Sequence, residues 1–196
     1  MVEAIVPVVH GSSRLRYALA VVLHVLGATI SAATVGALLG AIGALGAAPW
    51  GSVGPIAVGA VALLYAAREG FGVPIPIPDA RRQVPEWWRS FYSPPVASFL
   101  YGLGLGPGYF TFLTFGTYVA VSVGALVSGN PVVAAAVCAP FGLARGLSVL
   151  VSAGAHSGED AGRVIDRLES LAGSRLPRVA NSAALAGVAG IALLAP

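Results

Sequence analysis

From Tyr17 to Gly46 the chain carries no Asp, Glu, Lys or Arg. A run of that length meets the ~20 apolar residues a helix needs to cross a bilayer. Val96 to Val127 and Val132 to Ala153 meet the same requirement, and the shorter runs Ser52 to Ala67 and Leu176 to Leu194 complete a set of five. The average agrees: 57% of the chain is hydrophobic and only 10% charged, with mean hydropathy +0.84, against roughly 25% charged in soluble domains. The expectation is an all-α integral membrane protein, one transmembrane domain over residues 1–196, with spans near 17–46, 52–67, 96–127, 132–153 and 176–194. Trp50 and Tyr65 suit the two interfaces of the second span. A signal peptide does not fit, because Ala4 to Val9 is short and broken by Pro7.

Arginine placement orients this set. All 11 basic residues are arginine. Arg14 and Arg16 precede the first span, Arg68, Arg81, Arg82 and Arg89 lie between the second and third, and Arg163, Arg167, Arg175 and Arg178 between the fourth and fifth. With five spans these segments share one side, and the opposite turns carry no arginine. The positive-inside rule then places the amino terminus and loops 68–95 and 154–175 in the cytoplasm and the carboxyl terminus outside, in the cytoplasmic membrane. The net charge of +3 follows from this bias, and no aromatic-basic module points to nucleic acid.

The connections have their own chemistry. Asn130-Pro131 forms a cap and first-turn pair for the fourth span. Val73 to Pro78 alternates proline with branched aliphatics and is expected to be extended. Pro85 to Tyr92 has the composition of a headgroup-layer anchor. Between Asp160 and Ala172, Val164, Ile165, Leu168 and Leu171 recur at helical spacing among charges, which predicts a short amphipathic helix.

The third run is interrupted. Tyr101-Gly-Leu-Gly-Leu-Gly-Pro-Gly108 removes side-chain packing and a backbone donor, and such a break survives in hydrocarbon only beside other protein or a water-filled cavity. His24 in the first span and Arg145 in the fourth fall at a similar depth, so Gly104, Gly106, Pro107 and Gly108, with His24, Arg145, Thr111 and Thr114, form a candidate substrate path. Thr117 and Tyr118 extend the polar series. An intramembrane ionisable residue is a site hypothesis by default, but plainer roles exist: Arg145 snorkelling, His24 bonding a neighbouring helix, the threonines bonding their own backbone. Gly36, Gly40 and Gly43, with Thr29, Ala32 and Ala33, form a small-residue face for close helix packing.

Several chemistries lack material. The single Cys138 precludes an intrachain disulfide or thiolate cage and reads as a small buried hydrophobe. Three histidines without an HExxH and without clustered carboxylates offer no metal or hydrolytic site, and His156 belongs to a polar loop. The glycine run has neither the preceding strand nor the downstream acidic residue of a nucleotide fingerprint. Neither enzymatic activity nor a cofactor is expected.

The order of features resembles the CcdA/DsbD-type cytochrome c biogenesis membrane proteins of the LysE-like transporter superfamily. The resemblance rests on Phe99 to Gly108, similar to the family's glycine-rich approach to a proline-cysteine motif, supported by His24, the glycines from Gly36 to Gly46, Ala139 to Ala144 and a short apolar last helix. It covers nearly the whole chain, mapped onto family helices two to six. Two features depart: a complete first helix is missing, with Ala4 to Val9 as a remnant, and Gly108 stands after Pro107 where the motif has cysteine. Thiol-disulfide relay by this chain alone is therefore excluded. The leading expectation is translocation of a small solute, or assistance to it, at the broken span; Arg145, if it faces the path, would favour an anionic one. The competing expectation is a non-transporting accessory subunit packed against a partner helix. In either case the partners are the bilayer and a second copy or a second membrane protein.

Overall fold

In the computed structural model the residues described are 13–78, 84–85, 87–110, 115–155 and 158–194, and all regular structure among them is helical. In chain order the helices are α1 (Arg14–Leu45), α2 (Val53–Phe71), α3 (Trp88–Phe91), α4 (Pro94–Leu105), α5 (Thr117–Val127), α6 (Pro131–Leu147), α7 (Gly158–Gly173) and α8 (Leu176–Leu194). Short 3-10 turns follow α4 at Gly108–Phe110 and α6 at Ser148–Ser152. Among the described residues four segments are long and apolar enough to cross a membrane: α1, α2, α6 with its 3-10 continuation to Ser152, and α8. The run expected as a third span is two shorter helices, α4 and α5.

The ends of these helices follow from local chemistry. The Asn130 side chain accepts from the Val132 and Val133 amides at 2.9 and 3.2 Å, and Pro131, which has no amide hydrogen to lose, takes the first helical position. α4 likewise opens on prolines. α2 ends where Gly72 adopts φ +72°, a left-handed conformation that glycine takes without steric cost, and donates to the Arg68 carbonyl. Residues 72–78 then run without regular structure, as their prolines require.

α1 packs mainly against α6 and α4, while α2 packs against α8 and α5. α5 touches both groups and joins them. The buried positions are mostly small: Ala28, Ala32, Ala62, Ala125 and Ala134 are inaccessible, whereas Leu19, Leu26, Ile30 and Leu38 of α1 point outward. Apolar lipid gives large side chains no reason to turn inward, so cohesion comes from close backbone approach. α7 is amphipathic with Glu159 and Asp160 in its first turn. Two local expectations shift. Tyr65, expected at an interface, is buried and donates to the Pro76 carbonyl at 3.0 Å. Trp88, expected among the lipid headgroups, packs on Tyr101 of α4 at 5.8 Å.

Candidate functional site

The interruption lies against the middle of α1. A Cβ at Gly102 would overlap the His24 carbonyl oxygen, and one at Gly106 would overlap both the Ser31 hydroxyl and the Ala28 carbonyl. Gly27 of α1 answers from its own side, its Cβ position overlapping the Phe99 carbonyl. Gly142 of α6 reaches the same Ala28 carbonyl, so three helices converge on one fully buried alanine. Gly108, at φ +22°, makes room for the Tyr118 ring. Gly104 differs, facing side chains and no backbone: Val84 at 3.0 Å and the Trp88 ring at 3.7 Å. Pro107 lies in the bend between α4 and the 3-10 turn.

The other residues read as a path do not all meet there. His24 is buried, and its Nδ1 lies 3.3 Å from the Ser98 carbonyl of α4, a hydrogen bond when that nitrogen carries the proton. Arg145 lies over Phe141 of its own helix, 5.7 Å from the ring centroid. Phe141 stacks on Tyr118 with ring centroids 4.2 Å apart, and Tyr109 packs against Tyr118 at 4.9 Å with its ring tilted by 56°. Arg145 thus joins an aromatic column while His24 belongs to the α1–α4 seam. Thr111 and Thr114 lie outside the described residues. Thr117 donates to the Asn181 side-chain oxygen of α8, and Thr29 bonds back to the Val25 carbonyl at 2.8 Å. Gly36 faces Ala134 and Cys138, Gly40 faces Ala134 and Asn130, and Gly43 faces the Leu126 carbonyl, so the small face of α1 receives α6 and the end of α5. Cys138 is fully buried in that contact.

A second polar cluster escaped the sequence reading. Glu69, 7% exposed in the last turn of α2, pairs with Arg68, and its Oε1 accepts from the Gly116 amide at 3.4 Å, at the entry to α5. Arg68 also donates through Nε to the Ile75 carbonyl at 2.8 Å, tying down the proline segment. The Ser182 hydroxyl of α8 donates to the Ala66 carbonyl at 2.9 Å. A Cβ at Gly116 would overlap the Tyr65 ring, so α5 begins pressed against α2. Hydropathy placed Arg68 and Glu69 in a loop; the available signal was an acidic residue within one turn of an apolar helix, where a buried carboxylate needs partners. A cavity of about 300 Å³ adjoins the cluster, lined by Arg68, Glu69, Gly72, Val73, Pro74, Ile75, Phe115 and Arg178. Among the described residues no three His, Cys, Asp or Glu side chains are grouped as a metal site would require.

No protein-family model and no solved structure matches the chain. It is similar to methylamine utilization protein MauF of Paracoccus denitrificans, 35% identical over 132 residues, covering 67% of this chain and 48% of that protein. MauF of Paracoccus versutus is 37% identical over 133 residues, covering 66% and 48%, and MauF of Methylorubrum extorquens 30% over 141, covering 71% and 50%. The chain spans about half the length of these curated relatives. These similarities overturn the CcdA/DsbD resemblance and the solute translocation expected with it, since the relatives are methylamine utilization proteins and not cytochrome c biogenesis transporters. The physical reason is that glycine and small residues at helical spacing recur wherever helices pack closely in a membrane, so Phe99 to Gly108 is weak evidence for one family.

Proposed function

We propose that this chain is a non-catalytic accessory subunit of the cytoplasmic membrane that serves methylamine utilization by packing against a protein partner. The observation that carries this reading is the similarity to three proteins named for methylamine utilization, each over 66% to 71% of this chain. The packing supports it: neighbouring backbone and side chains take up the space at Gly102, Gly106 and Gly108, the role expected of a rigid scaffold. In a methylamine-growing host that carries the corresponding gene, deletion is expected to abolish growth on methylamine and leave growth on rich medium unchanged. The purified full chain in liposomes is expected neither to consume nor to accumulate methylamine. Turnover or uptake by the purified chain alone would reject the accessory role.

The same reading includes five crossings. α4 and α5 have 12 and 11 residues, about 18 and 17 Å at 1.5 Å per residue, and in series they match a hydrocarbon core of about 30 Å. The arginine bias then keeps the amino terminus inside and the carboxyl terminus outside. With Cys138 replaced by alanine, a cysteine at Ser174 is expected to react with a membrane-impermeant maleimide only from the cytoplasmic side, and one at Ser128 only from the opposite side. The reverse pattern, or both sites labelling from one side, would remove this topology.

A further inference from the structure

We propose that the cavity between the end of α2 and the start of α8 binds a small oxyanion, a phosphate or carboxylate group, with Arg178 as its principal contact. The charges that line it do not cancel. Glu69 is spent on Arg68 and on the Gly116 amide, and Arg68 is further committed to the Ile75 carbonyl. Among the described lining residues that leaves Arg178, in the first turn of α8, as the cation facing the cavity whose guanidinium is not engaged by the Glu69 carboxylate.

A planar guanidinium presents paired donors that match the two oxygens of a phosphate or carboxylate. The 300 Å³ available lies at the lower end of the range for small-molecule sites, and Val73, Pro74, Ile75 and Phe115 supply an apolar wall for whatever short body the oxyanion carries. The rigidity of the pocket comes from the same bonds that occupy Arg68: its Nε holds the 72–75 backbone in place, and Glu69 holds the entry to α5. A cation such as methylammonium is disfavoured, because among the described lining residues two arginines and one carboxylate leave one net positive charge.

The ligand chemistry has two sources, the headgroup of an anionic lipid and a soluble phosphate ester, and the experiment separates them. Native mass spectrometry of the full chain in detergent is run with added phosphatidylglycerol, with phosphatidylcholine, and with glycerol 3-phosphate. Retention of phosphatidylglycerol over phosphatidylcholine assigns a lipid source. Retention of glycerol 3-phosphate assigns a soluble one, and either supports the site. Arg178→Gln is expected to weaken the retained probe about tenfold, the loss of one charge-assisted hydrogen-bonded contact, while Arg163→Gln on α7, away from the cavity, leaves it unchanged. Because Arg178 is exposed, its substitution spares the fold, and an unaltered elution profile in size exclusion checks this. Equal retention of both lipids with no glycerol 3-phosphate, or equal losses in the two variants, would overturn the proposal. So would specific retention of methylammonium chloride.

Discussion

Gly106→Ala is expected to collapse the yield of folded, monodisperse protein in detergent, and Gly102→Ala to do the same, whereas Gly104→Ala and Gly187→Ala leave it close to wild type. The four substitutions add the same methyl group and differ only in what it meets. At Gly106 it would enter the Ser31 hydroxyl and the Ala28 carbonyl, and at Gly102 the His24 carbonyl. Backbone oxygens inside a helix cannot rotate away, so α4 must separate from α1, at the upper end of the ~1–3 kcal/mol that overpacking costs or beyond it. Gly104 meets the end of Val84, which can turn aside, and Gly187 has nothing within 4 Å. At Gly187 alanine even favours the helix, by roughly 0.5–1 kcal/mol. Fluorescence-detected size exclusion and thermal unfolding read the series directly. If all four variants behave alike, α4 does not approach α1 as described.

Glu69→Ala is expected to destabilise the protein by about 2–3 kcal/mol, with the damage concentrated at the entry to α5. The substitution leaves the Gly116 amide without its acceptor and Arg68 without its counter-charge, and a buried donor left unsatisfied costs about 1–3 kcal/mol. The full penalty of breaking a buried ion pair, ~3–5 kcal/mol, does not apply. Arg68 is 27% exposed, so water takes over part of the lost interaction. Glu69→Gln keeps an oxygen for the Gly116 amide and should fall between wild type and alanine. Hydrogen exchange is expected to accelerate at residues 115–120 in Glu69→Ala more than in α1 or α6. Uniform acceleration, or an alanine variant as stable as wild type, would show that Glu69 does not pin α5.

The two experiments probe two kinds of information. Gly102, Gly104 and Gly106 are equivalent in the sequence, three glycines on alternate positions before a proline. Their periodicity announces an interruption, and the backbone does leave the α-helix after Leu105, passing through a bend into the 3-10 turn at Gly108–Phe110. It does not announce that two of them receive α1 and the third faces the side chains of Val84 and Trp88. The candidate path shows the same limit. His24 and Arg145 share a depth, which counting residues along helices yields, but one meets Ser98 and the other Phe141. Azimuth decided that, and azimuth depends on how neighbouring helices pack. Glu69 was missed for the opposite reason: averaging hydropathy assigns it to a loop, while its carboxylate is buried by contacts with Gly116, 47 residues away.

What the amino-acid order determined alone is the one-dimensional part: apolar runs long enough to cross a membrane, an asymmetric distribution of arginine, a break at Gly106-Pro107, a cap at Asn130 and an amphipathic stretch before the last run. Each follows from transfer free energy or backbone geometry acting within a few residues. Tertiary structure decided which glycines are contacts, that Ala28 is where α1, α4 and α6 converge, and that α5 bridges two groups of helices, held to α2 and α8 by Glu69 and Asn181 and to α1 and α6 by the Leu126 carbonyl against Gly43 and the Tyr118 ring on Phe141. Those outcomes depend on pairing between segments far apart in the chain, where small residues carry little signal of their own and gain meaning only from the backbone that comes to lie against them.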